Sequence, residues 1–336
     1  MFMEKIQDIL DYFPVDCLSP QVESLGSAGG FSGALLWKIH APRGLLCLRR
    51  WPREHPSKKR LEFIHGLLGH VATNGCPVVP VPIHLCDSKP STFVKQDGYL
   101  WELAPWMPGE ANYEQNPSTE KLCNAARALA SFHHASSDYR RLTVSSMPAP
   151  GVCERLEKTR IWRQKDLERI ETHFKIASTL PSPIDSGQSR MILNYAKNTI
   201  AAVERDLLAL STLDVPIQAC IRDVWEQHLL FSGDEVTGIV DFGAARPDTV
   251  AVDIVRLLGS LAMNDQQLWK MGLQAYESLR PLSSDERSLL PVLDRSAILL
   301  SGLNWLRWIF LENRNFSSWS AVTLRLNKII ARIEAS

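Results

Sequence analysis

Residues 221–231 of the chain read IRDVWEQHLLF, and residues 238–243 read GIVDFG. The turn Ser232-Gly233-Asp234 joins two apolar, strand-like runs, so Asp223 and Asp241 fall on neighbouring loops of a hairpin-like scaffold. Phosphoryl transfer uses such a pair of carboxylates: one orients and deprotonates an attacking hydroxyl, and the other holds Mg²⁺ on the phosphates. The alternative is that each aspartate is an ordinary turn or capping residue.

The spacing of the two aspartates resembles the catalytic and metal-binding loops of the aminoglycoside phosphotransferase, choline kinase and homoserine kinase superfamily. In that family an apolar run closes the first loop, as Leu229-Leu230-Phe231 does here, and the second loop ends in Asp-Phe-Gly. The resemblance implies an ATP-dependent phosphotransferase that transfers the γ-phosphate of ATP to a hydroxyl group of a small molecule. It assigns Asp223 as the catalytic base, Asp241 as the Mg²⁺ ligand and Asp253 as a support for the first loop.

The sequence departs from the family at two positions of the first loop. Ile221 stands where the family has histidine, and His228 stands where it has an asparagine that supplies a metal ligand. We predict that His228 occupies the metal-ligand position, with Mn²⁺ as an alternative to Mg²⁺ because imidazole suits softer ions. The alternative role for His228 is a hydrogen bond within the loop. If these departures have removed the activity, the protein is a nucleotide-binding pseudokinase.

A glycine-rich segment, Gly26-Ser27-Ala28-Gly29-Gly30-Phe31-Ser32-Gly33, lies between two strand-like segments near the N-terminus. Glycine allows positive φ and close approach, so such a loop can present backbone N–H groups to phosphates. The segment is similar to the phosphate loop of choline and homoserine kinases. We predict ATP contacts at Gly29, Gly30, Phe31 and Ser32.

The strand after the turn Ala41-Pro42-Arg43-Gly44 carries Cys47 and Arg49, which alternation places on one face. The family resemblance implies that Cys47 lines the adenine pocket and that Arg49 meets the phosphates. It also implies a carboxylate partner for Arg49 on the following helix, for which we select Glu62. The segment Glu102-Leu103-Ala104 is predicted to present backbone groups to adenine, as the hinge does in the family.

Residues 22–102 favour strands, apart from one helix that ends before Asn74-Gly75. Downstream, helical spacing dominates, at about 122–133, 154–174, 191–210, 253–263, 265–279, 284–310 and 317–333. We predict an α+β, protein-kinase-like bilobal fold, with an antiparallel-sheet N-lobe over residues 1–103 and a mainly helical C-lobe over residues 104–336. A helix begins within about ten residues of Asp-Phe-Gly, which leaves no protein-kinase-type activation segment and disfavours protein substrates. Trp305, Trp308 and Trp319 are core residues or the walls of a cage for an amine.

The composition excludes several other classes of protein. With 37 lysines and arginines against 37 aspartates and glutamates, the formal charge is zero, which argues against nucleic acid or an anionic membrane as a partner. The seven cysteines are scattered without a Cys-x-x-Cys pair, so neither a disulfide framework nor a structural zinc site is expected. The first residues carry acids where a secretion signal needs a basic flank, and residues 297–311 are too short and too polar to span a bilayer. We therefore expect a soluble cytoplasmic protein.

Overall fold

The computed structural model describes residues 2–27, 33–86, 91–139, 146–176, 186–316 and 318–336. In the first third of the chain, five strands form one antiparallel sheet in the order β1-β2-β3-β5-β4. The strands are β1 (Val22–Gly26), β2 (Leu35–Ala41), β3 (Gly44–Arg50), β4 (Phe93–Gln96) and β5 (Tyr99–Pro105). The predicted hairpin between β2 and β3 is present, and Gly44 closes it with a φ of +121°, a conformation that glycine adopts at little cost.

The N-terminal helix α1 (Phe2–Leu10) packs against the sheet. Ile9 and Leu10 of this helix are fully buried in one cluster with Leu48 of β3. The helix was not among the predicted elements, although Ile6, Ile9 and Leu10 have the i, i+3, i+4 spacing that indicates one.

The second helix, α2 (Lys58–Thr73), joins the sheet to the rest of the molecule. Its Leu61 is buried with side chains of β4 and β5. Its Leu67, Leu68 and Val71 belong instead to the large apolar core formed by the downstream helices. The helix ends before Asn74-Gly75, as predicted. Residue 103 therefore separates the predicted lobes along the sequence only. Helix α2 precedes this boundary but packs into the cores of both lobes.

Downstream of β5 the described residues are mainly helical, and their apolar faces form one extended core. The helices are α3 (Thr119–Ala135), α4 (Pro150–Ile161), α5 (Leu167–Ile176), α6 (Ser186–Leu210), α7 (Ala251–Leu261), α8 (Gln266–Glu277), α9 (Ser284–Leu306) and α10 (Trp319–Glu334). One turn of wider, π-helical backbone links α4 to α5 over Trp162–Asp166, and another extends α9 over Arg307–Leu311. None of the helices in the described part of the chain is long and apolar enough to cross a membrane.

Two small antiparallel strand pairs inside the helical part carry the two aspartate loops. They are the pair of β8 (Gln218–Cys220) with β11 (Arg246–Asp248) and the hairpin of β9 (Leu229–Ser232) with β10 (Glu235–Ile239). A further short pair joins β6 (Met147–Pro148) to β7 (Asp214–Val215). The chain passes from β8 to β9 through one loop and from β10 back to β11 through the other. Both aspartates are therefore positioned by the same four strands.

The C-terminal tryptophans form an aromatic cluster. The ring centroids of Trp305 and Trp308 lie 5.0 Å apart, and Phe316 contacts both Trp305 at 5.6 Å and Trp319 at 5.1 Å. Trp305 is buried in the main core, and Trp308 and Trp319 pack against that core. These contacts favour the core-packing interpretation over an amine cage.

Candidate active site

The loop before β9 is held from behind by Asp253 of α7. The Asp253 carboxylate accepts hydrogen bonds from the backbone N–H groups of Ile221 at 2.7 Å and Arg222 at 2.5 Å. Arg222 has a φ of +71°, and its Nη1 lies 2.6 Å from Oδ2 of the buried Asp248. A positive φ is uncommon for a residue with a side chain and persists where the surrounding contacts fix it. The backbone that carries Asp223 is therefore set by buried groups.

A buried hydrogen-bond network stands behind Asp253. His133 lies 2.8 Å from the Tyr276 hydroxyl through Nδ1 and 3.0 Å from Asp253 through Nε2, while Cys220 Sγ lies 3.3 Å from a backbone carbonyl. Burial lowers the pKa of His133 despite the opposing effect of Asp253, so the ring is neutral. His133, Cys220 and Asp253 are close enough to hold a metal ion, but each already has a hydrogen-bond partner in the protein. The cluster serves to support the loop.

Asp223 reaches the solvent-accessible side of its loop as a carboxylate. Its side chain is 48% exposed, and Oδ1 accepts a hydrogen bond from Nε of Arg256 at 2.9 Å. Burial would raise the pKa of Asp223, but the charge of Arg256, aided by His228 and Arg325, holds it below the ordinary value. The side chain is therefore ionised at neutral pH and can accept a proton.

Asp241 follows β10 with an unusual backbone conformation, a φ of +63°. Its side chain is 44% exposed; Oδ1 lies 3.5 Å from Nη1 of Arg49, and Oδ2 lies 3.6 Å from Nε2 of His228. Both distances are too long for good hydrogen bonds, so within the described structure both carboxylate oxygens keep lone pairs available. Carboxylate oxygens are the ligands that Mg²⁺ prefers. Asp241 therefore fits the metal role predicted for it.

His228 does not present a free nitrogen to Asp241. Its Nδ1 lies 2.7 Å from the backbone oxygen of Asp223, and its Nε2 accepts a hydrogen bond from the indole N–H of Trp225 at 2.9 Å. A neutral imidazole has one donor and one acceptor nitrogen, and both are used here. Burial lowers the pKa of His228, which favours this neutral form. The ligand role predicted for His228 would require the Trp225 hydrogen bond to break, so the structure favours the alternative of a hydrogen bond within the loop.

Arg49 lies beside Asp241, and its other carboxylate neighbour comes from the adjacent strand. Its Nε lies 3.7 Å from Oε1 of Glu102, whose Oε2 lies 2.7 Å from Nε2 of His65 on α2. Burial would lower the pKa of Arg49, but Glu102 and Asp241 raise it above its ordinary value. Likewise, burial would raise the pKa of Glu102, but His65 and Arg49 lower it. The guanidinium and the carboxylate are therefore both charged.

Glu62, the predicted partner of Arg49, lies elsewhere. Its side chain is 51% exposed and its carboxylate lies 4.0 Å from Nζ of Lys58, one turn earlier on the helix surface. The buried side of α2 runs through Leu61 and His65, and each residue turns the helix by about 100°. Glu62 is thus rotated away from the cleft. Glu102, and not Glu62, is therefore the carboxylate beside Arg49.

A large cavity of about 410 Å³ lies between the sheet, α2 and the aspartate loops. Its apolar lining includes Cys47, Ile64, Leu68, Ala104, Met107, Leu230 and Val240, and its polar lining includes Arg49, His65, Glu102 and Asp241. Cys47, which was predicted to line the adenine pocket, is one of these lining residues. The cavity therefore combines an apolar surface that suits the flat ring of a nucleotide base with charged groups that suit phosphates and a cation.

The hinge differs in part from the prediction. Leu103 is fully buried in the core of the sheet, and its carbonyl accepts a hydrogen bond from the N–H of Ile83 at 2.8 Å. Because β5 continues to Pro105, Leu103 pairs with β3 and does not line the cavity. Ala104 lines the cavity, together with the following segment from Pro105 to Met107. The predicted contacts at Gly29, Gly30, Phe31 and Ser32 fall on residues 28–32, outside the described residues.

The family model for the phosphotransferase enzyme family matches residues 27–289. The chain belongs to this family. The homoserine kinase of Chelativorans sp. (strain BNC1) is 23% identical over 306 residues, covering 88% of this chain and 82% of that protein. The homoserine kinase of Agrobacterium fabrum (strain C58 / ATCC 33970) is 24% identical over 274 residues, covering 78% and 73%.

Solved structures of the phosphotransferase family share the fold. An aminoglycoside phosphotransferase from Alicyclobacillus acidocaldarius superposes with a TM-score of 0.66 at 16% identity, covering 98% of this chain and 92% of that one. Spectinomycin phosphotransferase, solved with ADP and spectinomycin, gives a TM-score of 0.69 at 12% identity, covering 98% and 97%. These likenesses confirm the predicted α+β, protein-kinase-like fold, and family membership makes the protein a phosphotransferase of the type that acts on small molecules.

Proposed function

We propose that the protein is an ATP-dependent kinase that transfers the γ-phosphate of ATP to a hydroxyl group of a small molecule. The observation that carries this proposal is that Arg49 and Asp241 line one cavity side by side, with Nη1 of Arg49 3.5 Å from Oδ1 of Asp241. Asp223 lies on the neighbouring loop, which the same two strand pairs carry. A kinase of this kind needs the ATP of the cytoplasm, and the seven free cysteines suit the reducing conditions there.

Each group has a definite part in this reaction. The apolar lining of the large cavity would take the adenine, and Arg49 would bind the phosphates through charge-assisted hydrogen bonds. Asp241 would hold Mg²⁺, which would neutralise the charge that develops on the phosphates. Asp223 would orient the acceptor hydroxyl and take its proton as the new oxygen–phosphorus bond forms. The bond from the γ-phosphorus to the bridging oxygen breaks at the same time, and ADP leaves.

Phosphate transfer from ATP to a panel of small alcohols tests the proposal. We expect ADP formation with Mg²⁺ that depends on an added acceptor, accompanied by a phosphorylated product. Mn²⁺ is tested in parallel, since the sequence predicts it as the alternative ion. If ATP stabilises the protein against thermal unfolding but no acceptor is phosphorylated with either ion, the pseudokinase interpretation replaces this one.

Replacing Arg49 by alanine should weaken ATP binding by about 10- to 100-fold, the usual value of a charge-assisted contact. Calorimetric titration with ATP measures the change. Arg50→Ala is the matched control, because Arg50 points away from the cavity and lies over the ring of Tyr99 at 4.4 Å. Weaker binding in Arg50→Ala with unchanged binding in Arg49→Ala would contradict the proposed phosphate contact.

A further inference from the structure

A second, small cavity of about 140 Å³ lies between the aspartate loop and the helices α7, α9 and α10. Among the described residues it shares no lining residue with the large cavity. Trp225 and Arg256 line it, and Arg256 is the residue whose Nε contacts Asp223 at 2.9 Å. The small cavity therefore adjoins the proposed base from a direction that the nucleotide does not use.

The charged lining of the small cavity is mostly positive. It consists of Arg256, Arg325, Lys328 and Arg332 against a single carboxylate, Glu226. Three of the four cations have carboxylate partners. Arg256 contacts Asp223 at 2.9 Å, Lys328 lies 2.8 Å from both Glu114 and Glu226, and Arg332 binds both oxygens of Asp294 at 3.0 and 2.9 Å.

Arg325 is the fourth cation. Within the described part of the chain, no carboxylate lies within ion-pair distance of its guanidinium and no hydrogen bond to its side chain is found. Its guanidinium lies over the ring of Trp225, 3.3 Å from the ring centroid. Burial, with the neighbouring charge of Arg256, lowers the pKa of Arg325 to about 10. Among the described residues, the positive charge of Arg325 therefore lies in the wall of the small cavity without the ion-pair partner that each of the other three cations has.

The platform under Arg325 is itself fixed. Trp225 is 8% exposed and donates its indole N–H to Nε2 of His228, which is tied through Nδ1 to the Asp223 backbone. The two unusual residues of the loop, Trp225 and His228, thereby hold the aromatic face on which Arg325 rests. A guanidinium stacked on an indole keeps its edge free for a planar anion.

We propose that the small cavity binds the acceptor and selects one that carries a carboxylate, with the carboxylate on Arg325 and the hydroxyl directed to Asp223. This inference rests on the proposed kinase activity and specifies its acceptor as a small hydroxy acid. An engineered cavity of about 150 Å³ holds one benzene molecule, so the small cavity has room for a group of about that size. A carboxylate matches the paired donors of a guanidinium, whereas a polycationic sugar would be repelled by the lining.

Calorimetric titration of the protein, with a non-hydrolysable ATP analogue and Mg²⁺ present, tests the proposal. The ligands form two matched pairs that differ in the carboxylate: homoserine with its primary amide, and glycerate with glycerol. We expect the carboxylate member of at least one pair to bind about 10- to 100-fold more tightly than its neutral counterpart. Arg325→Gln should abolish this preference while the affinity for the ATP analogue stays unchanged.

Arg314→Gln is the matched control, because Arg314 also lies over a tryptophan, Trp308 at 4.7 Å, but does not line the small cavity. It should keep the preference for the carboxylate. Equal binding of the paired ligands, a preference that survives in Arg325→Gln, or no binding by either carboxylate would overturn the inference. Phosphorylation of neutral alcohols alone would overturn it and leave the kinase activity standing. Carboxylate binding through Arg325 without transfer to any acceptor would support the binding site and contradict the kinase activity.

Discussion

Replacing Asp223 by asparagine is expected to lower kcat by about 10²- to 10⁴-fold, the usual contribution of a positioned general base. Asparagine keeps the shape of the side chain but does not take up the proton of the attacking hydroxyl. The affinity for ATP should be retained, because Asp223 does not line the large cavity. Single-turnover rates at saturating ATP and acceptor, with a separate ATP titration, measure both quantities. Wild-type turnover in this variant would remove Asp223 from the base role.

The pH dependence of the wild-type enzyme provides a second measurement of the same residue. The base must be ionised, and the pKa of Asp223 is lowered, so kcat/KM should fall only as the pH drops below the ordinary carboxyl range. Arg256→Gln removes the positive charge that lowers this pKa, so the acidic loss of activity should move to higher pH. Burial also lowers the pKa of His228, so no loss is expected near pH 6.5. A loss at that pH would instead favour His228 as a metal ligand.

Replacing Asp241 by alanine is expected to remove the metal-dependent part of ATP binding. Loss of an outer-shell partner alone costs about 10- to 100-fold in metal affinity, so loss of the ligand itself should cost at least about 100-fold. ATP titrations with Mg²⁺ and with EDTA measure the effect: the difference between the two affinities should vanish in Asp241→Ala.

His228→Asn is the informative comparison for Asp241→Ala. Since both ring nitrogens of His228 are hydrogen-bonded within the protein, this variant should keep the Mg²⁺ dependence of ATP binding and the same ratio of Mg²⁺ to Mn²⁺ activity. A shift of that ratio toward Mg²⁺ would restore His228 to the metal site. Metal-dependent binding that persists in Asp241→Ala would exclude Asp241 from it.

Local sequence pattern was enough to place four of the predicted site residues on their strands and loops. Asp223 and Asp241 are set by short strands with clear turn signals, and Cys47 and Arg49 follow from alternation along one strand. The sequence could not decide which carboxylate faces Arg49, because this depends on the rotation of α2 and on the pairing of β3 with β5. Glu102 is brought opposite Arg49 by that pairing.

Neither the role of His228 nor the small cavity could be predicted from the sequence, for a related reason. The hydrogen bond from Trp225 to His228 depends on two side-chain rotations that spacing does not specify. Arg256 and Arg325 meet only because α7 and α10, some seventy residues apart in the chain, pack beside the same loop. The unusual residue types Trp225 and His228 distinguish this loop in the sequence, but they do not specify which contacts it makes.

Because α2 packs into two apolar cores, the order in which the chain is synthesised affects the order in which it folds. Residues of α1 and the sheet can bury one another as soon as β5 has left the ribosome. Leu67, Leu68 and Val71 must wait for partners in the downstream helices, which are synthesised later. His65 lies on the same helix and orients Glu102 against Arg49. We therefore expect the nascent N-terminal part to fold before it can bind a phosphate. The nucleotide site should form completely only after the downstream helices have been synthesised.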